Sequence, residues 1–429
     1  MTLDQWLAWQ ERLHPVRIEM GLERVARVLG GMTLGPPPCK VITVAGTNGK
    51  GSSVAMLESI LLAAGYRVGA YYSPHLLRYN ERIRVDGREV SDATLCRAFA
   101  AVEQARGEMP LTYFEFGTLA ALEIFFTAGL DAVVLEVGLG GRLDAVNAVD
   151  CDVALITGIG LDHCQWLGND RETVAYEKAG IMRRGRPAVC SDPAPPRSLL
   201  NHADGLDVPL TCIGRDFGYT AHGNAWSWWG GGRRRTALPW PALRGEIQLQ
   251  NAAGALMVLE ALAAALPVPQ AAVRAGLLSL NLAGRFQVLP GMPMRILDVA
   301  HNPHAAAVLA AALRRQPCRG VTHGVFGMLE DKDIAGVVRA MENVVNVWHT
   351  ATLAVERGAI ARHLAECVTA VAAGSAVYEH TDPQAAYAAA GRAVGEEDRI
   401  IVFGSFYTVA AVLALENQPA ATNTSAVQV

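Results

Sequence analysis

Val41-Ile-Thr-Val-Ala45, followed by Gly46-Thr-Asn-Gly-Lys-Gly-Ser52, is the stretch whose reading decides the fold. The first part is an unbroken run of apolar or β-branched residues and reads as a buried strand. The glycine-rich turn then opens onto Ser53–Ala64, where apolar residues recur at helical spacing. Strand, glycine turn and helix make the layout of a phosphate-binding loop. Glycines let backbone N–H groups approach a phosphate chain, the helix N-terminus adds partial positive charge, and Lys50 adds a full one. A hydroxyl just past the lysine, from Ser52 or Ser53, suits the Mg²⁺ that accompanies ATP. The spacing is tighter than in the usual phosphate-loop pattern, because Thr47 and Asn48 alone separate Gly46 from Gly49 and because Gly51 intervenes before Ser52. A glycine turn with a lysine also occurs as a plain connection, so the rest of the chain must decide.

At 429 residues the chain exceeds the length over which one hydrophobic core keeps growing, and two domains are expected. Apolar residues make up 51% and charged residues 18%, the composition of a well-packed soluble protein. No apolar run is long enough to span a membrane, and Met1-Thr-Leu-Asp-Gln-Trp6 has neither the basic start nor the apolar run of a signal peptide. A cytoplasmic location without a membrane partner is expected. The 8 cysteines never pair as C-x-x-C, so buried reduced thiols are expected in place of a zinc or redox site. A net charge of −4 argues against a nucleic-acid surface. Arg233-Arg-Arg235, after Gly230-Gly-Gly232, reads as a solvated turn.

The predicted fold class is α/β, with a P-loop parallel-sheet ATPase domain followed by a smaller Rossmann-like α/β domain. Leu3, Trp6, Leu7 and Leu13 share a helical face, and Ile18–Leu29 reads as a second helix. Strand-like runs recur at Val68–Tyr72, Ala132–Val137, Val153–Thr157 and Pro187–Cys190, with helical stretches such as Phe116–Phe126 between them. That alternation means a parallel sheet whose ligands sit at the carboxyl ends of the strands. From Thr211 to Trp240 the texture changes to a few antiparallel strands, with Trp226, Trp228 and Trp229 more suited to packing than to ring stacking. The α/β pattern restarts near Leu282 with strands at Met294–Val299, Thr322–Phe326 and Arg399–Phe403. The expected boundaries are residues 1–281 for the first domain, 282–292 for a linker, 293–416 for the second domain, and 417–429 for a disordered tail.

Three predicted strand ends carry polar residues: Ser73-Pro-His75 after Tyr72, Glu136 at the start of Glu-Val-Gly-Leu-Gly-Gly141, and Gly158-Ile-Gly-Leu-Asp-His163 after Thr157. In parallel strands, Ser73, Glu136 and His163 reach the same sheet edge as the P-loop, where a hydroxyl, a carboxylate and an imidazole beside ATP phosphates suit Mg²⁺. Taken singly, a serine before proline is commonly a turn and a lone histidine commonly structural. Lys178, in Tyr176-Glu-Lys-Ala-Gly180, reads by itself as a surface charge.

Gly46–Ser52, Tyr72-Ser-Pro-His-Leu-Leu-Arg-Tyr-Asn-Glu-Arg-Ile-Arg84, Thr112-Tyr-Phe-Glu115, Glu136-Val-Gly-Leu-Gly-Gly-Arg-Leu-Asp-Ala145, Gly160-Leu-Asp-His163, Glu177-Lys-Ala-Gly180 and Leu297-Asp-Val-Ala-His-Asn-Pro303 together resemble the bifunctional dihydrofolate synthase and folylpolyglutamate synthase family of Mur-type amide ligases. The resemblance runs from about Ile18 to Tyr407. It implies that Thr47, Asn48, Gly49, Lys50, Gly51 and Ser52 hold ATP phosphates, and that Asn251, Arg285, Asp298 and His301 lie at the ATP site. It implies two Mg²⁺ ions, held by Ser73, Glu136, His163 and a Lys178 carboxylated by CO₂, which turns an ammonium into an anionic ligand. Lys50, Glu136, His163 and Lys178 are then the catalytic set.

The resemblance further implies a pterin or folate site from Ile18, Glu19, Met20, Arg82, Thr112, Tyr113, Phe114, Glu115, Leu143, Asp144 and Ala145. Gly245-Glu-Ile-Gln248 departs from many relatives in lacking a His or Phe before the glutamine. The implied reaction uses ATP as cosubstrate to join L-glutamate to dihydropteroate, with further glutamates added to reduced folates; a monomer is expected. Alternatives are a folylpolyglutamate synthase alone, another Mur-type ligase, or a P-loop switch or transport ATPase. A murein-precursor ligase is expected to carry a further domain before its P-loop, whereas Val41 begins the loop strand here. A switch ATPase needs Walker B and switch segments that this sequence does not resemble.

Overall fold

The computed structural model describes residues 1–16 and 18–417. The tail expected at 417–429 lies outside these except for Asn417, which follows the last helix. The chain divides into two compact units, Met1–Leu282 and a second beginning at Ala283.

In the first unit β1 (Lys40–Ala45), β2 (Val68–Tyr71), β3 (Ile83–Val85), β4 (Arg88–Glu89), β5 (Ala132–Glu136), β6 (Val153–Ile156), β7 (Ala188–Cys190) and β8 (Leu210–Cys212) build one sheet in the order β4-β3-β2-β5-β1-β6-β7-β8. The strands from β2 to β8 in that order pair in parallel, and the hairpin β3-β4 adds an antiparallel edge. β1 and β5 are buried almost throughout, the continuous apolar signature of a sheet covered on both faces. One core layer gathers Trp6, Phe99, Phe116 and Phe125. The other gathers Ile42, Met56 and Leu57 with Trp226 and Trp228. Trp226 and Trp228 thus serve packing, whereas Trp229 is exposed: β9 (Phe217–His222), β10 (Ala225–Gly230) and β11 (Arg233–Pro239) form a small antiparallel sheet, and Trp228 Nε1 donates to Ala253 O at 3.1 Å.

The helix expected from Ile18 begins instead at Glu23 and runs to Gly31. Residues 18–21 have the right apolar spacing for a helix, but a tertiary contact competes: Gly21 N–H donates to Leu143 O at 3.2 Å. That extended segment bears on the site.

The second unit is a six-stranded sheet of β12 (Gln287–Leu289), β13 (Met294–Leu297), β14 (Thr322–Phe326), β15 (Val347–Ala351), β16 (Ala376–His380) and β17 (Arg399–Phe403), in the order β12-β13-β17-β14-β15-β16. All pair in parallel except β12, an antiparallel edge strand inside the stretch expected as a linker. β13 stops at Leu297, short of the expected Val299, because the Asp298 carboxylate turns back to accept the N–H groups of Phe286 and Ala300, each at 2.8 Å. Helices including Pro303–Arg315, Ile334–Met341 and Ala361–Val371 pack on this sheet around Phe326, Trp348 and Phe403.

Candidate active site

The turn after β1 is held from two sides. Thr47 N–H donates to Gly158 O at 2.8 Å, and the Thr47 hydroxyl donates to Gly160 O at 2.9 Å while Gly160 N–H donates to it at 3.1 Å. Gly46 is needed for this approach, since a Cβ there would lie 1.7 Å from Thr157 Oγ1. Gly49 precedes the helix Lys50–Ala63 with φ +95°, a left-handed conformation that glycine adopts without penalty. A Cβ on Gly49 would come within 2.6 Å of Asn251 Oδ1, so the expected ATP contact Asn251 does abut the loop. Asn251 is oriented by donating from Nδ2 to Gln248 Oε1 at 3.0 Å, an interaction that does not need the residue absent at position 247. Lys50 Nζ folds over the loop, donating to Gly46 O at 3.1 Å. Ser52 and Ser53 are buried beneath it, and Ser53 Oγ has no hydrogen-bond partner among the described residues.

β5 and β6 flank β1 and β2 pairs with β5, all in parallel, so their carboxyl ends share one edge. There Ser73 N–H donates to Glu136 Oε2 at 3.1 Å, and the Glu136 carboxylate is buried. Past β6, His163 adopts φ +52°, a left-handed backbone that costs a non-glycine residue about 1 kcal/mol or more and is concentrated at functional sites. Lys178 is wholly buried in the last turn of the helix Arg171–Ala179. Burial, and then the nearby Lys50 charge, push its amine down to about 7, with Asp162 and Asp144 acting in the opposite direction. Ser73, Glu136 and His163 supply a hydroxyl, a carboxylate and an imidazole, donor types that a divalent ion accepts. Among the described residues no trio of His, Cys, Asp or Glu is arranged as a metal site.

Three further segments meet beside this edge. Thr112 caps the helix Tyr113–Thr127 by accepting from Glu115 N–H, while the Glu115 carboxylate accepts from Thr112 N–H at 2.7 Å. Phe114 packs beneath Gly138, where a Cβ would lie 2.6 Å from its ring. Asp144 is buried and accepts from Leu139 N–H and Val146 N–H, folding residues 138–146 into a tight loop; burial pushes its carboxyl up to about 6, against those hydrogen bonds. This loop is locked to the Lys178 helix, for Arg142 N–H donates to Glu177 O at 2.7 Å and Asn147 Nδ2 donates to Gly180 O at 3.0 Å. Met20 reaches Gly140, and Ile18–Met20 is tied in through Gly21 and Leu143. The Arg82 guanidinium sits 5.6 Å from the Tyr113 ring and donates to His75 Nδ1 at 2.8 Å. Burial and that positive neighbour depress His75 to about 4.

In the second unit Asp298 lies at the end of β13, next to β17, and Arg285 and His301 both pack on Phe406, at 5.1 and 6.0 Å. Burial raises the Asp298 carboxyl, while Arg285 opposes the shift. The sequence reading missed Phe406. Ser405, which caps the helix Phe406–Glu416, was the available signal for a helix start at this strand end. Asp192, past β7, was missed as well: it accepts Ile159 N–H at 2.7 Å and pairs with Arg171, bracing the segment that carries His163. The strand-end rule that selected Ser73 and Glu136 applies equally to Asp192.

Two family models match the chain: the Mur ligase middle domain over residues 44–192 and the Mur ligase glutamate ligase domain over residues 284–406. The chain is similar to the dihydrofolate synthase/folylpolyglutamate synthase of Escherichia coli, 44% identical over 96% of this chain and 94% of that one, and to the protein of the same name from Haemophilus influenzae, 38% identical over 95% and 96%. Among solved structures, it is similar to E. coli FolC in complex with DHPP and ADP, with TM-score 0.92 and 44% identity over 97% of this chain and 98% of that one. It is also similar to a bifunctional folylpolyglutamate synthase/dihydrofolate synthase from Yersinia pestis complexed with AMPPNP and Mn ion, with TM-score 0.90 and 48% identity over 97% and 98%.

Proposed function

Since the chain belongs to the dihydrofolate synthase/folylpolyglutamate synthase family of Mur-type ligases, we propose that the residues gathered at the β1 edge perform carboxylate activation by ATP followed by amide formation. The protein is an ATP-dependent acid–amino-acid ligase. It joins L-glutamate to dihydropteroate to give dihydrofolate and adds further glutamates to reduced folates through γ-linked amides, using ATP and a divalent metal ion.

In the proposed course a substrate carboxylate oxygen attacks the γ-phosphorus of ATP and ADP leaves. The amine of glutamate then attacks the acyl phosphate carbonyl, loses a proton, and phosphate departs. A carboxylate resists nucleophiles because it is anionic and lacks a leaving group, so phosphorylation answers both needs. Lys50 and the backbone N–H groups of residues 47–52 hold the phosphates and offset their charge. Ser73, Glu136, His163 and Lys178 would hold two Mg²⁺ ions, Lys178 as a carbamate formed when its neutral amine attacks CO₂ and releases a proton. Bound Mg²⁺ supplies charge neutralisation. The segments 18–20, 112–115 and 143–145, with Arg82, would bind and orient the pterin. Asn251 is proposed as an ATP contact because it abuts Gly49. Arg285 and His301 are proposed on the strength of their packing on Phe406, and Asp298 because its carboxylate is held between the segments that carry them, by Phe286 N–H and Ala300 N–H.

The observation that carries this reading is the glycine turn itself: Lys50 folds over it, Thr47 pins it to Gly160 and Asn251 abuts it, while Lys178 is buried on a helix locked to the loop of Asp144. The reading also takes the enzyme to be a cytoplasmic monomer. In support, the cysteines are free, no described helix is long and apolar enough to cross a membrane, and each unit has its own core. The test is ADP release with dihydropteroate and L-glutamate added singly and together. Dependence on both is expected, and release with neither would overturn the reading.

A further inference from the structure

Ile18–Met20 has no regular secondary structure, so the ties around it determine where it sits. Gly21 N–H holds it to Leu143 O, and among the described residues a side-chain tie comes from Arg24, in the first turn of the helix Glu23–Gly31. Its Nε and Nη2 donate to Glu115 Oε1 at 3.2 and 2.9 Å. The same Nη2 donates to Glu19 O at 3.0 Å, and Nη1 pairs with the Glu19 carboxylate. Three guanidinium nitrogens thus join an extended segment to the N-terminus of the helix Tyr113–Thr127. Glu115 is buried, with its other oxygen engaged by Thr112 N–H, so the guanidinium also balances a carboxylate that would otherwise be costly to bury. His14 Nε2 lies 3.1 Å from the remaining Glu19 oxygen.

We infer that Arg24 is a positioning residue for the pterin-bearing substrate, setting Ile18–Met20 against Thr112–Glu115 through a fork between Glu19 and Glu115. The inference rests on the reading of those two segments as the pterin site. A lysine cannot reproduce it, because a single ammonium lacks the planar, multiply donating fork.

The experiment is steady-state kinetics of the wild type, Arg24→Lys and Arg24→Ala, measuring KM for dihydropteroate, KM for ATP and kcat, alongside thermal unfolding. Both variants are expected to raise KM for dihydropteroate, by roughly ten- to hundredfold, because modest displacement of a binding segment is amplified at the substrate. KM for ATP and kcat at saturation should change by less than about twofold, since uniform binding is what is lost. An unchanged KM for dihydropteroate in both variants, or equal rises in both KM values, overturns the inference while wild-type turnover leaves the functional reading intact. A wild type that makes no dihydrofolate overturns that reading, and this inference with it.

Discussion

The Thr47 hydroxyl and Gly160 are hydrogen-bonded in both directions, through the Gly160 carbonyl at 2.9 Å and its N–H at 3.1 Å. The phosphate loop and the segment leading to His163 are therefore one mechanical piece, and the hydroxyl is its pin.

Thr47→Val keeps the shape but leaves a backbone donor and acceptor unmatched. It should cost about 1–3 kcal/mol of stability and should raise KM for ATP while lowering kcat. Thr47→Ser should retain most of both. Thermal unfolding and ATP-dependent kinetics of the pair check this, and equal behaviour of the two variants would contradict it.

Gly49→Ala introduces two separable penalties. The left-handed backbone costs about 1–2 kcal/mol, and the new methyl group meets Asn251 Oδ1. Gly65 has a similar φ, +91°, but its Cβ would meet nothing within 4 Å, so Gly65→Ala isolates the backbone cost. The Gly49 variant should lose more stability than the Gly65 variant and should bind an ATP analogue more weakly, measured by calorimetry; the Gly65 variant should bind it normally.

Lys178→Ala should lower kcat by roughly a hundredfold or more, the scale seen when a preorganised charge is removed from phosphoryl-transfer chemistry. The fold should survive, because the change relieves a buried ionisable group. The accompanying signature is a carbamate carbon in the NMR spectrum of wild type equilibrated with ¹³C-bicarbonate. Its absence, with full activity in CO₂-depleted buffer, would remove the carboxylated lysine from the account.

A pH dependence is built into the second unit by three stacked imidazoles on neighbouring strands. His323 Nδ1 lies 3.2 Å from His349 Nε2, and His349 Nδ1 lies 3.1 Å from His380 Nε2. Burial, then His380 and His323, push His349 down to about 4. An unfolded histidine takes up its proton near pH 6.5 while the folded one does not. The unfolded state therefore gains protons first, and stability falls as pH drops from about 6.5 towards 4. The loss assigned to His349 is about 2 kcal/mol after allowance for solvent screening. Thermal unfolding across that window should show a shallower slope in His349→Gln than in wild type; parallel slopes would contradict the assignment.

Much of the first unit was legible because βα alternation carries geometry with it. Parallel strands ending at Tyr71, Glu136 and Ile156 around β1 must bring their following residues to one edge, so Ser73, Glu136 and the His163 segment were assigned to that edge without a contact being known. Lys178 was illegible by pattern, because nothing in Glu177-Lys-Ala distinguishes a buried lysine from a surface one; burial comes from the Asp144 loop packing on its helix. Arg24 was illegible for a similar reason. Its partners Glu19 and Glu115 are far apart in sequence and meet only once Gly21 has pulled its segment out of the helical pattern towards Leu143. In the second unit, β15 and β16 went unnamed: Val347-Trp-His-Thr-Ala351 hides a histidine inside the sheet, and β16 is an edge strand with mixed exposure that blurs its alternation.

The most direct test of the central claim is the mass spectrum of the product formed from dihydropteroate, L-glutamate and MgATP, read together with ADP release. The account predicts ADP only when both acid and amine are present, matched by a product heavier than dihydropteroate by one glutamyl residue. ADP released with neither substrate, and no glutamylated product, would contradict it.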